Sequence, residues 1–234
     1  FLGRSMAKAK HMSDDTARII DAEVKQVIDR NYDRAAKEQL WRIRPGEPPH
    51  EYTPADGWQQ LTIWGMGIAS HDIDGDGKPE VFLTSQADNK LQKLNENAVG
   101  PEYHDIALKA GVTAQRPYAG GDVLPSTAWH PEFDDMNNDS YVDLFIAKGN
   151  VEGQPDYAKN DPNNLLLGTK DGTFIERGDQ AGVANASRSR GAAVVDLNLD
   201  GLLDLVVVNR RVNVEVKRNV GSGNAASPRQ MGHW

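Results

Sequence analysis

The sequence predicts a mainly β protein built from one unit used three times, preceded by a single N-terminal amphipathic α-helix. Three observations carry that expectation. An acidic loop recurs three times, its first Asp residues at 72, 135 and 196. A short apolar run follows each loop, Val81-Phe-Leu-Thr, Leu144-Phe-Ile-Ala and Leu205-Val-Val-Val, which is the composition of a buried strand. Helical periodicity is confined to the head of the chain.

In the head, Ile20, Val24, Val27, Ile28, Tyr32 and Ala36 recur at three- and four-residue steps with charges between them. Ser13 is placed to cap this helix, and Asp14 and Asp15 lie where the positive end of the helix dipole favours acids. The helix runs from Ser13 to about Leu40 and would be about 40 Å long. Residues 45–57 hold four prolines and two glycines, a composition that reads as a linker. The expected organisation is a helical segment over 1–40, a Pro-rich linker over 41–57 and a repeat region over 58–234.

Composition narrows the function. The 234 residues carry a net charge of −8, with no Cys, so disulfide frameworks and thiolate metal sites are excluded. The charge is uneven: residues 1–44 hold 10 Lys and Arg against 7 Asp and Glu, and the acidic excess belongs to the body. Such a balance argues against a nucleic-acid partner, which needs a clustered basic surface. No stretch approaches the ~18 apolar residues of a membrane span. The six His residues, at 11, 50, 71, 104, 130 and 233, show no zinc-ligand spacing. Trp58, Trp64 and Trp129 read most simply as packing residues, with a carbohydrate- or partner-binding face as the alternative.

The repeated loops carry the chemistry. They align without gaps as Asp72-Ile-Asp74-Gly-Asp76-Gly-Lys78-Pro-Glu80, Asp135-Met-Asn137-Asn-Asp139-Ser-Tyr141-Val-Asp143 and Asp196-Leu-Asn198-Leu-Asp200-Gly-Leu202-Leu-Asp204. Side-chain oxygens at positions 1, 3, 5 and 9, with the backbone carbonyl of position 7 from Lys78, Tyr141 or Leu202, form the donor set that a hard cation such as Ca²⁺ takes. Two carboxylates ~4 Å apart repel by about 4 kcal/mol at an effective dielectric near 20, so the loops predict a bound ion, up to three Ca²⁺ in all. An EF-hand is excluded, because position 12 is Leu83, Ile146 or Val207 where a bidentate Glu is required, and a strand follows where a helix should.

Two resemblances attach to these residues. The run from Phe1 to Asp21, continuing through Glu23-Val-Lys, Ile28-Asp-Arg-Asn-Tyr32 and Arg34-Ala, resembles a segment of the FtsH-type ATP-dependent zinc metalloproteases. That family's chemistry needs a nucleotide-binding Gly-rich loop and a His-Glu-x-x-His helix. This chain has neither, since His50-Glu51 is followed by Pro54 where the second His would stand. The loops themselves, with Gly67 and Gly191 five residues before two of them, resemble the FG-GAP or VCBS repeat of integrin-α-like β-propellers. Trp64-Gly-Met-Gly-Ile-Ala, Arg190-Gly-Ala-Ala-Val-Val-Asp196 and Gly232-His-Trp234 are similar to the cartilage-acidic-protein type that carries an ASPIC/UnbV domain. Departures fall on the second loop, where Ser140 replaces Gly and His130 stands at minus five, and on Glu80, which replaces the last Asp of the first.

The second resemblance implies a partial β-propeller of about three blades, a non-catalytic, extracellular, periplasmic or cell-surface module that binds Ca²⁺ and other proteins or surface glycans. Closed propellers use ~4 to 8 blades, so the ring is expected to be incomplete, with a fragment or chimera as the preferred explanation and self-association through open blade edges as the alternative. A piece of an FtsH-like metalloprotease and an accessory scaffold subunit of a larger enzyme complex remain the alternative functions.

Overall fold

The computed structural model describes residues 38–113, 124–151, 154 and 157–221. The helix expected before Leu40 falls almost wholly outside them, as does Gly232-His-Trp234. The chain divides into two compact units between Trp64 and Gly65.

In the first unit, β1 (Trp41–Arg42) pairs antiparallel with β2 (His50–Glu51), Trp41 opposite Glu51. A 3-10 turn over Pro54–Asp56 follows. Asp56 Oδ2 accepts from both the backbone N–H and the hydroxyl of Thr53 at 2.9 Å, which fixes the turn's start. Four prolines keep the rest of this stretch out of regular structure, because each removes a backbone donor.

The second unit holds three antiparallel sheets. The first is β3 (Ile68–His71), β4 (Glu80–Leu83), β5 (Lys90–Leu94) and β6 (Tyr103–Asp105), paired in that order. A one-turn helix, α1 (Ala107–Ala110), follows β6. The second sheet is β7 (Ala128–Asp134), β8 (Asp143–Lys148), β9 (Asn164–Gly168) and β10 (Phe174–Glu176). The third is β11 (Ser189–Val195), β12 (Asp204–Asn209) and β13 (Glu215–Lys217). The acidic loop joins the first strand of each sheet to the second. The strands that follow the loops are those the apolar runs predicted.

The side-chain alternation of β8 explains why its sequence is apolar without a break. Leu144 and Ile146 enter a core with Phe82, Leu91, Leu166 and Phe174, whereas Phe145 and Ala147 enter a second core with Leu165, Val183, Leu205 and Val207. Both faces of the strand are therefore covered, and all six of its residues are buried. Each large apolar side chain so buried contributes about 1.5 to 3 kcal/mol. In the third sheet only one face is treated this way. Leu205 and Val207 are buried against the second sheet, while Val208, Val214 and Val216 are exposed on the other face.

Candidate metal centre

The three loops share one hydrogen-bond frame. The position 1 carboxylate accepts the backbone N–H of position 6: Gly77 to Asp72 at 2.9 Å, Ser140 to Asp135 at 2.8 Å and Gly201 to Asp196 at 2.8 Å. The position 5 carboxylate accepts from position 7: Lys78 to Asp76 at 2.9 Å, Tyr141 to Asp139 at 2.9 Å and Leu202 to Asp200 at 3.0 Å. The position 9 acid accepts from position 2: Ile73 to Glu80 at 2.9 Å, Met136 to Asp143 at 2.9 Å and Leu197 to Asp204 at 3.2 Å. Ser140 and Glu80, the departures noted in the sequence, keep their places in this frame.

The frame needs left-handed backbone at positions 4 and 6. Gly75 and Gly77 supply it in the first loop, Asn138 (φ 57) and Ser140 (φ 71) in the second, Leu199 (φ 60) and Gly201 in the third. Backbone N–H groups thus absorb part of the negative charge that the sequence assigned wholly to a cation.

Beyond the frame the loops differ. In the first, oxygens of Asp72, Asp74 and Glu80 lie within 4.8 Å of one another, a grouping of three acids found once among the described residues. In the second and third, position 3 is an amide, and Asn137 donates to Asp139 at 2.9 Å as Asn198 does to Asp200 at 3.0 Å. All three donor sets are oxygen-rich and suit a hard cation.

A residue that motif reasoning missed sits at the focus of the first loop. Lys93 Nζ donates to Asp74 at 2.6 Å, Glu80 at 2.8 Å and Asp76 at 3.1 Å. Burial works against its charge, but those three acids hold its pKa above the ordinary lysine value. The Lys78 backbone N–H and then Lys93 hold Asp76 below the usual carboxylate range. A cleft of about 900 Å³ opens beside this loop, with Leu91, Ile106 and Ala110 among its walls.

Register shows what replaces Lys93 elsewhere. Val81 faces Gln92, Leu144 faces Leu166 and Leu205 faces Lys217. One step further along each ladder, Glu80 meets Lys93, Asp143 meets Leu167 and Asp204 meets Arg218. Arg218 reaches one loop acid, Asp200, at 3.3 Å, from a largely exposed position. Asp200 is held low by the Leu202 N–H, with Asn198 and Arg218 adding to it. Leu167 instead packs on the second core. Among the described residues no Lys or Arg pairs with Asp135, Asp139 or Asp143. The Asp143 carboxyl is fully buried, and burial, with Asp139 and Asp135 adding to it, pushes its pKa up to about 7 against the pull of the Gly168 and Met136 N–H groups.

Of the other residues singled out in the sequence, Trp129 and Trp58 serve packing, whereas Trp64, read from the sequence as a packing residue, is exposed. The Trp129 indole donates to the Gly149 carbonyl at 2.7 Å, and the Arg190 guanidinium stacks 4.1 Å above its ring, joining the second sheet to the third. Trp58 is buried. His50 is hydrogen-bonded to Asp56, His104 to Asn95 and His130 to Glu132, while the His71 ring lies 6.4 Å from Phe133. Among the described residues no helix is long and apolar enough to cross a membrane.

Comparison with known proteins separates two kinds of likeness. Over 37 residues, 16% of this chain and 6% of the relative, the sequence is 76% identical to the ATP-dependent zinc metalloprotease FtsH of Buchnera aphidicola subsp. Schizaphis graminum. Over 159 residues, 62% of this chain and 21% of the relative, it is 26% identical to human cartilage acidic protein 1. The mouse protein of that name is 26% identical over 161 residues, with the same coverage. The chain thus spans less than a quarter of any of these three. Residues 135–207, from the second loop to the strand after the third, match the model of the FG-GAP-like repeat.

Proposed function

We propose that this chain is a calcium-stabilised, non-catalytic β-propeller segment, its three sheets serving as blades, with a structural or protein-binding role at a cell surface or outside the cell. The observation that carries the reading is the common frame of the three loops. The same N–H donors fix the same acids at positions 1, 5 and 9, so the three loops gather their acids in one arrangement, and in the first loop oxygens of Asp72, Asp74 and Glu80 come within 4.8 Å of one another. Oxygen donors in that number are what Ca²⁺ takes, and at a hundred times its Kd an ion adds about 2.7 kcal/mol of stability. The residues that would hold it are Asp135, Asn137, Asp139 and Asp143 in the second loop, with their counterparts in the other two. The bound ion would supply positive charge and no reaction.

The protein-binding part rests on the likeness to cartilage acidic protein 1 and on the apolar face of Val208, Val214 and Val216. No peptidase role is assigned, because the likeness to FtsH covers only a small part of those proteins and the chain contains no His-Glu-x-x-His. Thermal melting with Ca²⁺ and with chelator tests the reading. A midpoint several degrees higher in calcium is expected, and identical midpoints would remove it.

A further inference from the structure

We infer that Lys93 is the resident cation of the first loop. Its ammonium takes the position a divalent ion would need, so this loop is held together without metal and the second loop, with Leu167 at the same register, is the one left for an ion. The inference deepens the calcium reading and rests on it for the second loop, but not for the first.

Three observations support it. Lys93 Nζ lies within 3.1 Å of one oxygen from each of Asp74, Asp76 and Glu80, so it shares these acids with any metal that entered. An ammonium has three donors, and all three are used. A divalent ion could bind only after Lys93 was expelled and its charge re-solvated. Glu80 also depends on Lys93 in a way its counterparts do not. The second oxygen of Asp143 accepts the Gly168 N–H at 2.8 Å and that of Asp204 accepts the Asn219 N–H at 2.8 Å, whereas that of Glu80 is satisfied by the Lys93 side chain. Glu80 is buried, so losing this partner would strand a carboxylate oxygen.

The loops therefore form a graded series. The first is filled by Lys93, the third is flanked by the exposed and displaceable Arg218, and the second has an apolar side chain where the others have a cation. The site whose sequence departs furthest from the repeat at position 6 is then the one where metal binding displaces no side-chain cation.

Two variants of the full chain test this by calcium titration calorimetry and by melting in chelator. Lys93→Met is expected to bind one more Ca²⁺ per chain than the parent and to melt lower in chelator, with calcium restoring the midpoint. Leu167→Lys, which places an ammonium beside Asp143, is expected to bind one Ca²⁺ fewer. An unchanged ion count and chelator midpoint in Lys93→Met would overturn the inference, as would an unchanged count in Leu167→Lys. A parent chain that binds three ions, with Lys93→Met no different, would remove this inference and leave the calcium reading intact. If no variant binds calcium, that reading falls, and the chelator midpoint of Lys93→Met alone decides whether Lys93 holds the first loop.

Discussion

The side-chain amide of Asn219 donates to the carbonyl oxygen of Met136 at 3.3 Å, tying the end of the third sheet into the second loop. The same nitrogen donates to Leu203 at 3.2 Å, and the side-chain oxygen accepts from the Gly221 N–H at 2.9 Å. Asn219 is fully buried, so truncation would leave two carbonyls and one N–H without this partner. Orphaned buried polar groups cost about 1 to 3 kcal/mol. Asn219→Ala is expected to destabilise the chain by about 2 kcal/mol in urea unfolding, and a loss under about 0.5 kcal/mol would show that the clasp carries no weight.

Leu199 occupies position 4 of the third loop at φ 60 and is exposed. Its counterpart in the first loop is Gly75, whose backbone has the same sign of φ and open space around it. A left-handed backbone costs a residue with a Cβ roughly 1 to 2 kcal/mol, and the greater freedom of Gly in the unfolded chain takes back part of that. Leu199→Gly should therefore stabilise the protein by about 0.5 to 1 kcal/mol, and Leu199→Val should destabilise it. A Leu199→Gly variant that melts at or below the parent midpoint would refute the argument.

Gly67 lies where β3 enters beside β7. A Cβ there would stand 2.0 Å from the Trp129 carbonyl oxygen and 2.6 Å from Pro131 Cδ, and neither can swing away. Thr84 closes the same spot, its hydroxyl donating to the Trp129 carbonyl at 2.6 Å. Gly191 holds the equivalent place before the third loop, yet a Cβ there would meet the Val208 Cβ at 4.0 Å, an ordinary contact. Gly67→Ala is expected to cost about 3 kcal/mol or more, and Gly191→Ala under about 1 kcal/mol. Equal losses in thermal melts would mean that the two glycines serve a common need other than clearance.

What the sequence made legible was whatever repeats within a short span. The loops, the strands after them and the rejection of the EF-hand all rest on residues a few positions apart, and Asp72, Asp135 and Asp196 stand in matching frames. Lys93 escaped notice because it meets Glu80 through strand register, 13 positions away, and a motif scan does not see across a hairpin. Leu199 escaped for a different reason. Its side chain suggests burial, whereas its place in the loop is set by the backbone, which the side chain does not announce. The two-sided burial of β8 was visible in the unbroken apolar run from Leu144 to Ala147, but which residue joins which core required the pleat.

Asp143 links the second loop to pH. Its folded-state pKa is raised to about 7, well above the ordinary carboxylate value, chiefly by burial, so folding favours the protonated carboxyl. The contribution is fully present below the unfolded-state value and is lost as pH rises through the folded one. In chelator, stability from this group should fall between about pH 4 and about pH 7. A bound Ca²⁺ would favour the carboxylate and reverse that trend. Asp143→Asn cannot titrate, so the parent's stability in chelator should decline relative to the variant's across this window, whatever the variant's absolute stability. Parallel curves for the two proteins in urea unfolding from pH 4 to pH 7 would mean that the Asp143 carboxyl ionises at its ordinary pH and that the second loop tolerates its charge without an ion.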